Sequence, residues 1–209
     1  MAMAEWGRKD AEMAIALKRA ELNRALSYKV NYDAEGHNIC LALIRFKDNT
    51  IDVLTAYSND SAIPESIRLG LNLIPNLYAF MPKTEFFGCD GMAQFHTEPK
   101  LLNYLFATPG IRQNVFSGNL PINTFYKSVL ESQRERAIWH SQHVKSPDDL
   151  ASVTLVTEIN CCSTCTEYSI NRFRNRFPNI PLLVIELGKE VGKKLPVQFE
   201  KISISITPK

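Results

Sequence analysis

The order of apolar patterns in this 209-residue sequence predicts a mixed α/β domain. The runs ICLALIRF (39–46) and IDVLTAY (51–57) are separated by a short polar break, which is typical of a β-hairpin. The runs ASVTLVTEI (151–159) and PLLVIEL (181–187) resemble buried strands, and a segment of helical periodicity lies between them. Strands and helices in this order predict a mixed sheet with helices packed on it.

Two further helices are predicted before the third of these runs. The segment from Asp10 to about Leu26 is rich in residues that favour helices, and Ile15 and Leu22 share a face with Leu26. The second helix is predicted to begin at His96, after which leucines recur at helical spacing.

The C-terminal segment FEKISISI (199–206) alternates isoleucine with polar residues, which predicts a half-exposed fifth strand. About eleven residues separate Leu187 from Phe199, whereas a parallel return needs a crossover of a dozen or more. The last two strands are therefore predicted to be antiparallel.

The chain length and its irregular segments predict a single domain, 1–209, with two insertions. The first, at about 58–95, contains several prolines and glycines, and the second, at about 107–150, is expected to contain one helix. Both insertions adjoin the site predicted below, so they are natural places for substrate selectivity.

Charge and hydropathy limit the possible partners. The formal net charge is +2, and residues 166–209 carry eight Lys/Arg against four Asp/Glu, which fits a phosphate-bearing partner or a solvated surface. No segment approaches the roughly 18 apolar residues of a membrane helix. The N-terminal residues also lack the apolar region of a secretory signal. We therefore expect no membrane partner, and export only by means outside this chain.

The stretch FHTEPKLLNYL (95–105) places a metal-binding and an acidic side chain at a helix start. Proline is tolerated in the first turn of a helix, so Pro99 fits a helix that begins here. His96 and Glu98 would then lie beside the positive end of the helix dipole.

Three of the five cysteines crowd into residues 161–165, where Cys162 and Cys165 have C-x-x-C spacing directly after a predicted strand. This pattern alone also serves redox pairs and structural zinc ribbons, although the second C-x-x-C of a ribbon is absent. With His96, the two cysteines offer three ligands to Zn²⁺ and leave a fourth position for water, as in catalytic sites. Glu98 is then placed to accept a proton from that water.

The segments HTEPKLL (96–102) and CCSTCTEYSINRFRNRFPNIPLLVIEL (161–187) resemble the cytidine-deaminase-like superfamily, and within it the deaminase toxin domains of bacterial polymorphic toxin systems. The resemblance covers roughly residues 37–106 and 151–206 and leaves out both insertions. It implies a three-layer α/β/α fold with a mixed five-stranded sheet whose last two strands are antiparallel.

The resemblance makes His96, Cys162 and Cys165 zinc ligands and Glu98 the proton shuttle. One departure concerns Cys161, which stands where the family usually has proline and which could bind in place of Cys162. The two-residue spacing favours Cys162 with Cys165.

The function implied by the resemblance is zinc-dependent deamination of a nucleobase in a nucleic acid, with cytosine favoured over adenine and DNA over RNA. It also implies an interbacterial toxin delivered into the target-cell cytoplasm, with a cognate immunity protein as partner. Two alternatives stay open. One is a deaminase of free nucleosides or nucleotides, and the other is a non-catalytic module whose structural zinc has Cys161 or Cys89 as its fourth ligand.

Asn59, Arg172 and Arg174 are weaker candidates for substrate binding. Asn59 follows the second predicted strand, where the superfamily often has a substrate-contacting asparagine, and an ordinary turn explains it too. The two arginines alternate with Phe173, so they are expected to point away from the core, toward phosphates or into solvent.

Overall fold

The computed structural model describes residues 7–26, 37–58, 63–74, 76, 84–88, 96–106 and 149–188. Its elements are, in chain order, α1 (Arg8–Leu26), β1 (Ile39–Phe46), β2 (Ile51–Tyr57), α2 (Glu65–Gly70), α3 (Thr97–Phe106), β3 (Leu150–Thr157), α4 (Ser163–Cys165), a π-helical segment (Thr166–Asn171), α5 (Arg172–Arg176) and β4 (Leu182–Glu186). The predicted hairpin, the two predicted helices and the two predicted buried strands are confirmed. Half of the first predicted insertion and nearly all of the second lie outside the described residues.

The sheet is mixed, as predicted, with the strand order β2-β1-β3-β4. β1 pairs antiparallel with both β2 and β3, whereas β3 and β4 are parallel and are joined by the helical segment that runs from α4 to α5. The described residues form four strands and not the five that were predicted. The predicted fifth strand, at 199–206, and its antiparallel pairing lie outside the described part of the chain.

The β1–β2 turn explains why the hairpin closes at this point. Asn49 has a φ of 67°, a left-handed conformation that asparagine tolerates better than most residues. Asp48 accepts hydrogen bonds at Oδ1 from the main-chain N–H and the hydroxyl of Thr50, at 2.9 and 2.6 Å. These short-range bonds fix the register of the two strands.

The side chains of β1 alternate between two cores, because successive residues of a strand point to opposite faces. Cys40, Ala42 and Ile44 pack with side chains of α3 and of the helix that ends at Arg176. Ile39 and Leu41 instead pack with side chains of α1. None of the helices within the described ranges combines the length and apolarity needed to cross a membrane.

A buried ion pair fixes α1 to the sheet. The Arg19 guanidinium donates to both carboxylate oxygens of Glu158, the residue that follows β3. It also donates to the main-chain oxygen of His37 at 2.6 Å. The helix α1 is therefore tied to the two central strands, at the end of the sheet where β3 finishes and β1 begins.

The prediction of an irregular insertion at 58–95 is wrong where it covers α2. Directly after α2, Leu73 forms a parallel bridge with Thr55 of the edge strand β2, and the Ile74 N–H donates to the Thr55 oxygen at 2.8 Å. This segment therefore extends the sheet edge.

Candidate metal centre

The first half of the site lies at the start of α3. The helix begins at Thr97 and holds Pro99 in its first turn, which confirms the predicted helix start. His96 directly precedes the helix, and the side chain of Glu98 is almost completely buried, with 2% exposed. The acidic side chain is therefore held inside the protein.

The second half of the site is the corner between β3 and α4. The Cys162 thiol caps the helix, because its sulfur accepts the main-chain N–H of Cys165 at 3.3 Å. Cys165 is buried and Cys162 is exposed. The helix then continues through the π-helical segment, a local widening that is frequent at functional sites.

The two halves meet at three potential metal ligands. His96 Nδ1 lies 3.1 Å from Cys165 Sγ and 3.5 Å from Cys162 Sγ, and all three ligand atoms lie within 4.8 Å of one another. Tetrahedral zinc, with bonds of about 2.1 Å to nitrogen and 2.3 Å to sulfur, separates such atoms by roughly 3.6 Å. One imidazole and two thiols at these distances fit Zn²⁺.

The position of Cys161 separates it from this group. Among the described residues the group contains His96, Cys162 and Cys165 alone. The Cys161 thiol donates instead to Glu98 Oε1 at 3.6 Å, and its main-chain N–H donates to Glu186 Oε1 at 2.8 Å. The geometry thus favours Cys162 over Cys161 as a ligand and leaves three protein ligands. Cys89, the other alternative fourth ligand, lies outside the described residues.

The Glu98 carboxylate is enclosed by hydrogen-bond donors. Its Oε1 lies 3.2 Å from Asn38 Nδ2, 3.1 Å from Thr157 Oγ1 and 3.6 Å from Cys161 Sγ. Together with burial, which is the larger cause, the charge of this carboxylate raises the pKa of the Cys165 thiol. The carboxylate therefore adjoins the ligand group without belonging to it.

Burial makes the thiols of Cys165 and Cys161 hard to ionise when no cation is bound. Burial, and next the charge of Glu98, raise the pKa of Cys165 far above its usual range. The same two causes raise the pKa of Cys161, to which the charge of Glu186 also contributes. A divalent cation would offset this cost, because metals bind the thiolate and displace its proton.

Arg172 and Arg174 contact main-chain oxygens of their own chain. Arg172 donates to Phe86 at 2.9 Å and to Thr84 at 2.7 Å, and Arg174 donates to Leu182 at 3.1 Å. Both side chains therefore stabilise the fold, and their role in substrate binding stays a prediction. Asn59, the third candidate, lies outside the described residues.

The sequence analysis missed three buried or half-buried polar residues near the site. Asn38 and Thr157 bind the Glu98 carboxylate, and Lys100 of α3 is fully buried and donates to the Tyr57 oxygen at 2.8 Å. Asn38 and Thr157 stand at strand ends, which is the only signal the sequence offers for them. Lys100 has no such signal, because a lysine on a helix is usually exposed.

Comparisons with protein-family models, with curated protein sequences and with solved structures gave no match. The assignment of the metal centre therefore rests on the chemistry and geometry of these side chains.

Proposed function

We propose that this protein is a zinc-dependent deaminase that converts a nucleobase amine to a carbonyl and releases ammonia. The observation that carries the proposal is the convergence of His96, Cys162 and Cys165 beside the buried carboxylate of Glu98. The three ligands found among the described residues would leave one tetrahedral position open, which distinguishes catalytic from structural zinc.

Each side chain of the site has a distinct part in this reaction. The two thiols and the imidazole would hold Zn²⁺, which supplies Lewis-acid activation of water at neutral pH. Glu98 would accept a proton from that water and then pass protons to a ring nitrogen and to the departing amine. Its burial supports this part, because the carboxylate is shielded from competing solvent.

The fold is consistent with the proposal. We propose the three-layer α/β/α arrangement of the cytidine-deaminase-like superfamily, completed by a fifth strand antiparallel to β4. The two separate cores on the two faces of β1 support this arrangement. The parallel β3–β4 unit also supports it, since it puts the C-x-x-C corner at the carboxyl end of a strand, where sites of open α/β sheets commonly lie.

The finer assignment of substrate and biology rests on the resemblance of the two motif segments. We propose cytosine in a nucleic acid as the substrate, with DNA favoured over RNA. We further propose an interbacterial toxin that acts in the target-cell cytoplasm and is neutralised by an immunity protein.

Base conversion provides the direct test. The parent protein and its Glu98→Ala variant would be incubated with single-stranded DNA, double-stranded DNA, RNA, cytidine and deoxycytidine monophosphate. Polymer products would be sequenced, free products would be separated by chromatography, and bound zinc would be measured. Loss of a general acid–base group predicts a fall in rate of about 10²-fold or more. Bound zinc should remain near one per chain, because Glu98 is not a ligand.

Glu167→Ala is the matched control, because Glu167 is an exposed glutamate on the helical segment after Cys165. It should leave conversion unchanged. If cytidine or deoxycytidine monophosphate is converted but no polymer is, the substrate is a free nucleoside or nucleotide and not a nucleic acid. One bound zinc without conversion of any substrate would contradict the deaminase and favour a structural zinc module.

A further inference from the structure

We propose that Asn38 is a positioning residue that orients the Glu98 carboxylate and joins the two halves of the metal centre. The catalytic part of this inference rests on the proposed function, whereas the structural part does not. Asn38 is half-buried and directly precedes β1. Its side chain contacts α3, the end of β3 and the loop that leads to the cysteines.

One contact fixes which way the Asn38 amide points. Its Oδ1 accepts the main-chain N–H of Ile159 at 3.0 Å. A main-chain nitrogen can only donate here, so the opposing atom of the side chain must be the oxygen. The amide NH₂ group therefore faces Glu98, and this orientation follows from chemistry.

The NH₂ group is shared among three acceptors. Asn38 Nδ2 lies 2.8 Å from both Thr97 Oγ1 and Thr157 Oγ1 and 3.2 Å from Glu98 Oε1. The NH₂ group has two hydrogens for these three acceptors. The contact to the Glu98 carboxylate is the longest, so it shares a hydrogen with one of the threonine hydroxyls. Thr157 supplies a second, shared contact: its one hydroxyl hydrogen lies between Glu98 Oε1 at 3.1 Å and the main-chain oxygen of Ile159 at 2.7 Å.

These contacts bridge elements that carry different parts of the site. Thr97 and Glu98 follow His96 on α3, whereas Ile159 lies three residues before Cys162. The Asn38 main chain is itself paired with Ser58, whose N–H donates to its oxygen at 3.0 Å. Asn38 therefore holds the histidine half and the cysteine half against one fixed point of the sheet.

The kinetic test compares Asn38→Asp and Thr157→Val with the parent. The aspartate keeps the acceptor for Ile159 but replaces the donor that faces Glu98 with a second carboxylate oxygen. Partners of this kind typically contribute 10- to 100-fold to activity or metal affinity. We expect kcat to fall by about that factor, while KM changes by less than about threefold.

Two control variants match these changes at sites away from the centre. Asn49→Asp adds the same charge at the exposed hairpin turn, and Thr154→Val makes the same change in the middle of β3. Both should keep the parental kcat. Zinc affinity, measured by competition with a chromophoric chelator, should fall for Asn38→Asp and stay constant for both controls. A change in KM alone, or unchanged kcat and zinc affinity, would overturn the inference.

A swap of donor and acceptor tests the contact without any reference to catalysis. Asn38→Asp alone should lower the Tm of the metal-free protein by about 3–6 °C. Combining it with Glu98→Gln places an amide donor opposite the new carboxylate, so at least half of that loss should be recovered. Additive losses would contradict the inference.

The kinetic experiment and the stability experiment together distinguish a failure of the proposed function from a failure of the inference about Asn38. If the parent converts no base but the swap recovers stability, the proposed function fails and the positioning of Glu98 stands. If the parent is active but Asn38→Asp does not fold, Asn38→Ser decides, because it removes the NH₂ group without adding a charge: a parental kcat would then overturn the inference.

Discussion

The main-chain N–H of Cys161 donates to the carboxylate of Glu186 at 2.8 Å, which ties the cysteine corner to the last residue of β4. A proline at this position has no N–H and could not make the bond. Cysteine at this position thus ties the corner to β4 by a hydrogen bond that proline would lack. Its thiol faces Glu98 and not the ligand group.

The ligand assignment predicts different outcomes for the three neighbouring cysteines. Cys161→Ser should keep one zinc per chain, because Cys161 lies outside the ligand group. Cys162→Ser and Cys165→Ser should lower zinc affinity by at least about tenfold, since each removes one of three thiolate or imidazole ligands. Chelator competition and metal analysis measure both quantities. Zinc loss in Cys161→Ser with retention in Cys162→Ser would reverse the register.

The pH dependence of the metal-free protein follows from its buried thiols. Burial raises the pKa of Cys40, Cys161 and Cys165 above the usual thiol value, so the folded state favours the protonated form. Their contribution to stability is complete below the pKa of the unfolded thiol, about 8.5, and is lost as the pH rises above it. We therefore expect the free energy of unfolding to fall from about pH 8.5 upward in urea titrations. A flat profile up to pH 10 would contradict this assignment.

Zinc affinity should rise with pH, whereas the free energy of unfolding of the metal-free protein should fall. Because the thiols of Cys162 and Cys165 must lose protons to bind, raising the pH from 6 to 8 should tighten binding and acidification should release the metal. Proton release on metal addition, measured in a weakly buffered solution, checks the mechanism. Binding that is independent of pH would mean that thiolates are not the ligands.

The Arg19–Glu158 ion pair is predicted to be essential for stability. Removing one partner of a buried pair leaves an uncompensated charge, so Glu158→Gln or Arg19→Met should cost about 3–5 kcal/mol in the free energy of unfolding. Lys18→Met is the control, because Lys18 pairs with Glu21 on the surface of the same helix. It should cost no more than about 1 kcal/mol. Equal losses in buried and surface variants would contradict the prediction.

The Arg172→Met variant distinguishes a structural role of this arginine from a substrate-binding role. Its bonds to Thr84 and Phe86 predict that Arg172→Met lowers the free energy of unfolding by about 1–2 kcal/mol. Lys9→Met removes one exposed positive charge and should leave stability unchanged. Unchanged stability together with weaker, less salt-dependent binding of a nucleic acid would instead assign Arg172 to phosphate contacts.

Sequence reasoning predicted those parts of the site that depend on local spacing. The helix start beside Pro99 and the C-x-x-C pair are short-range patterns, and both are found as predicted, as is the meeting of His96 with the two cysteines. The first two features are local, and the third was expected from the combination of a His-x-Glu helix start with a C-x-x-C corner.

The polar support of the site could not be predicted in this way. Asn38 lies 60 residues from Glu98 in the chain, and Arg19 lies 139 residues from Glu158. Such pairs depend on how the elements pack, and each residue alone resembles an ordinary surface residue. The same holds for Arg172, whose periodicity predicted exposure although its guanidinium binds main-chain oxygens 86 and 88 residues away.

The distance along the chain between the two halves of the metal centre has a consequence for folding. His96 and Cys165 are 69 residues apart in sequence, so a shared ion would act as a cross-link that closes a long loop. Such closure removes more freedom from the unfolded chain than from the folded one, and its entropy grows only with the logarithm of loop length. The chain between α3 and β3 could then be lengthened or exchanged at little thermodynamic cost, because the ion and the β1–β3 pairing would fasten both of its ends.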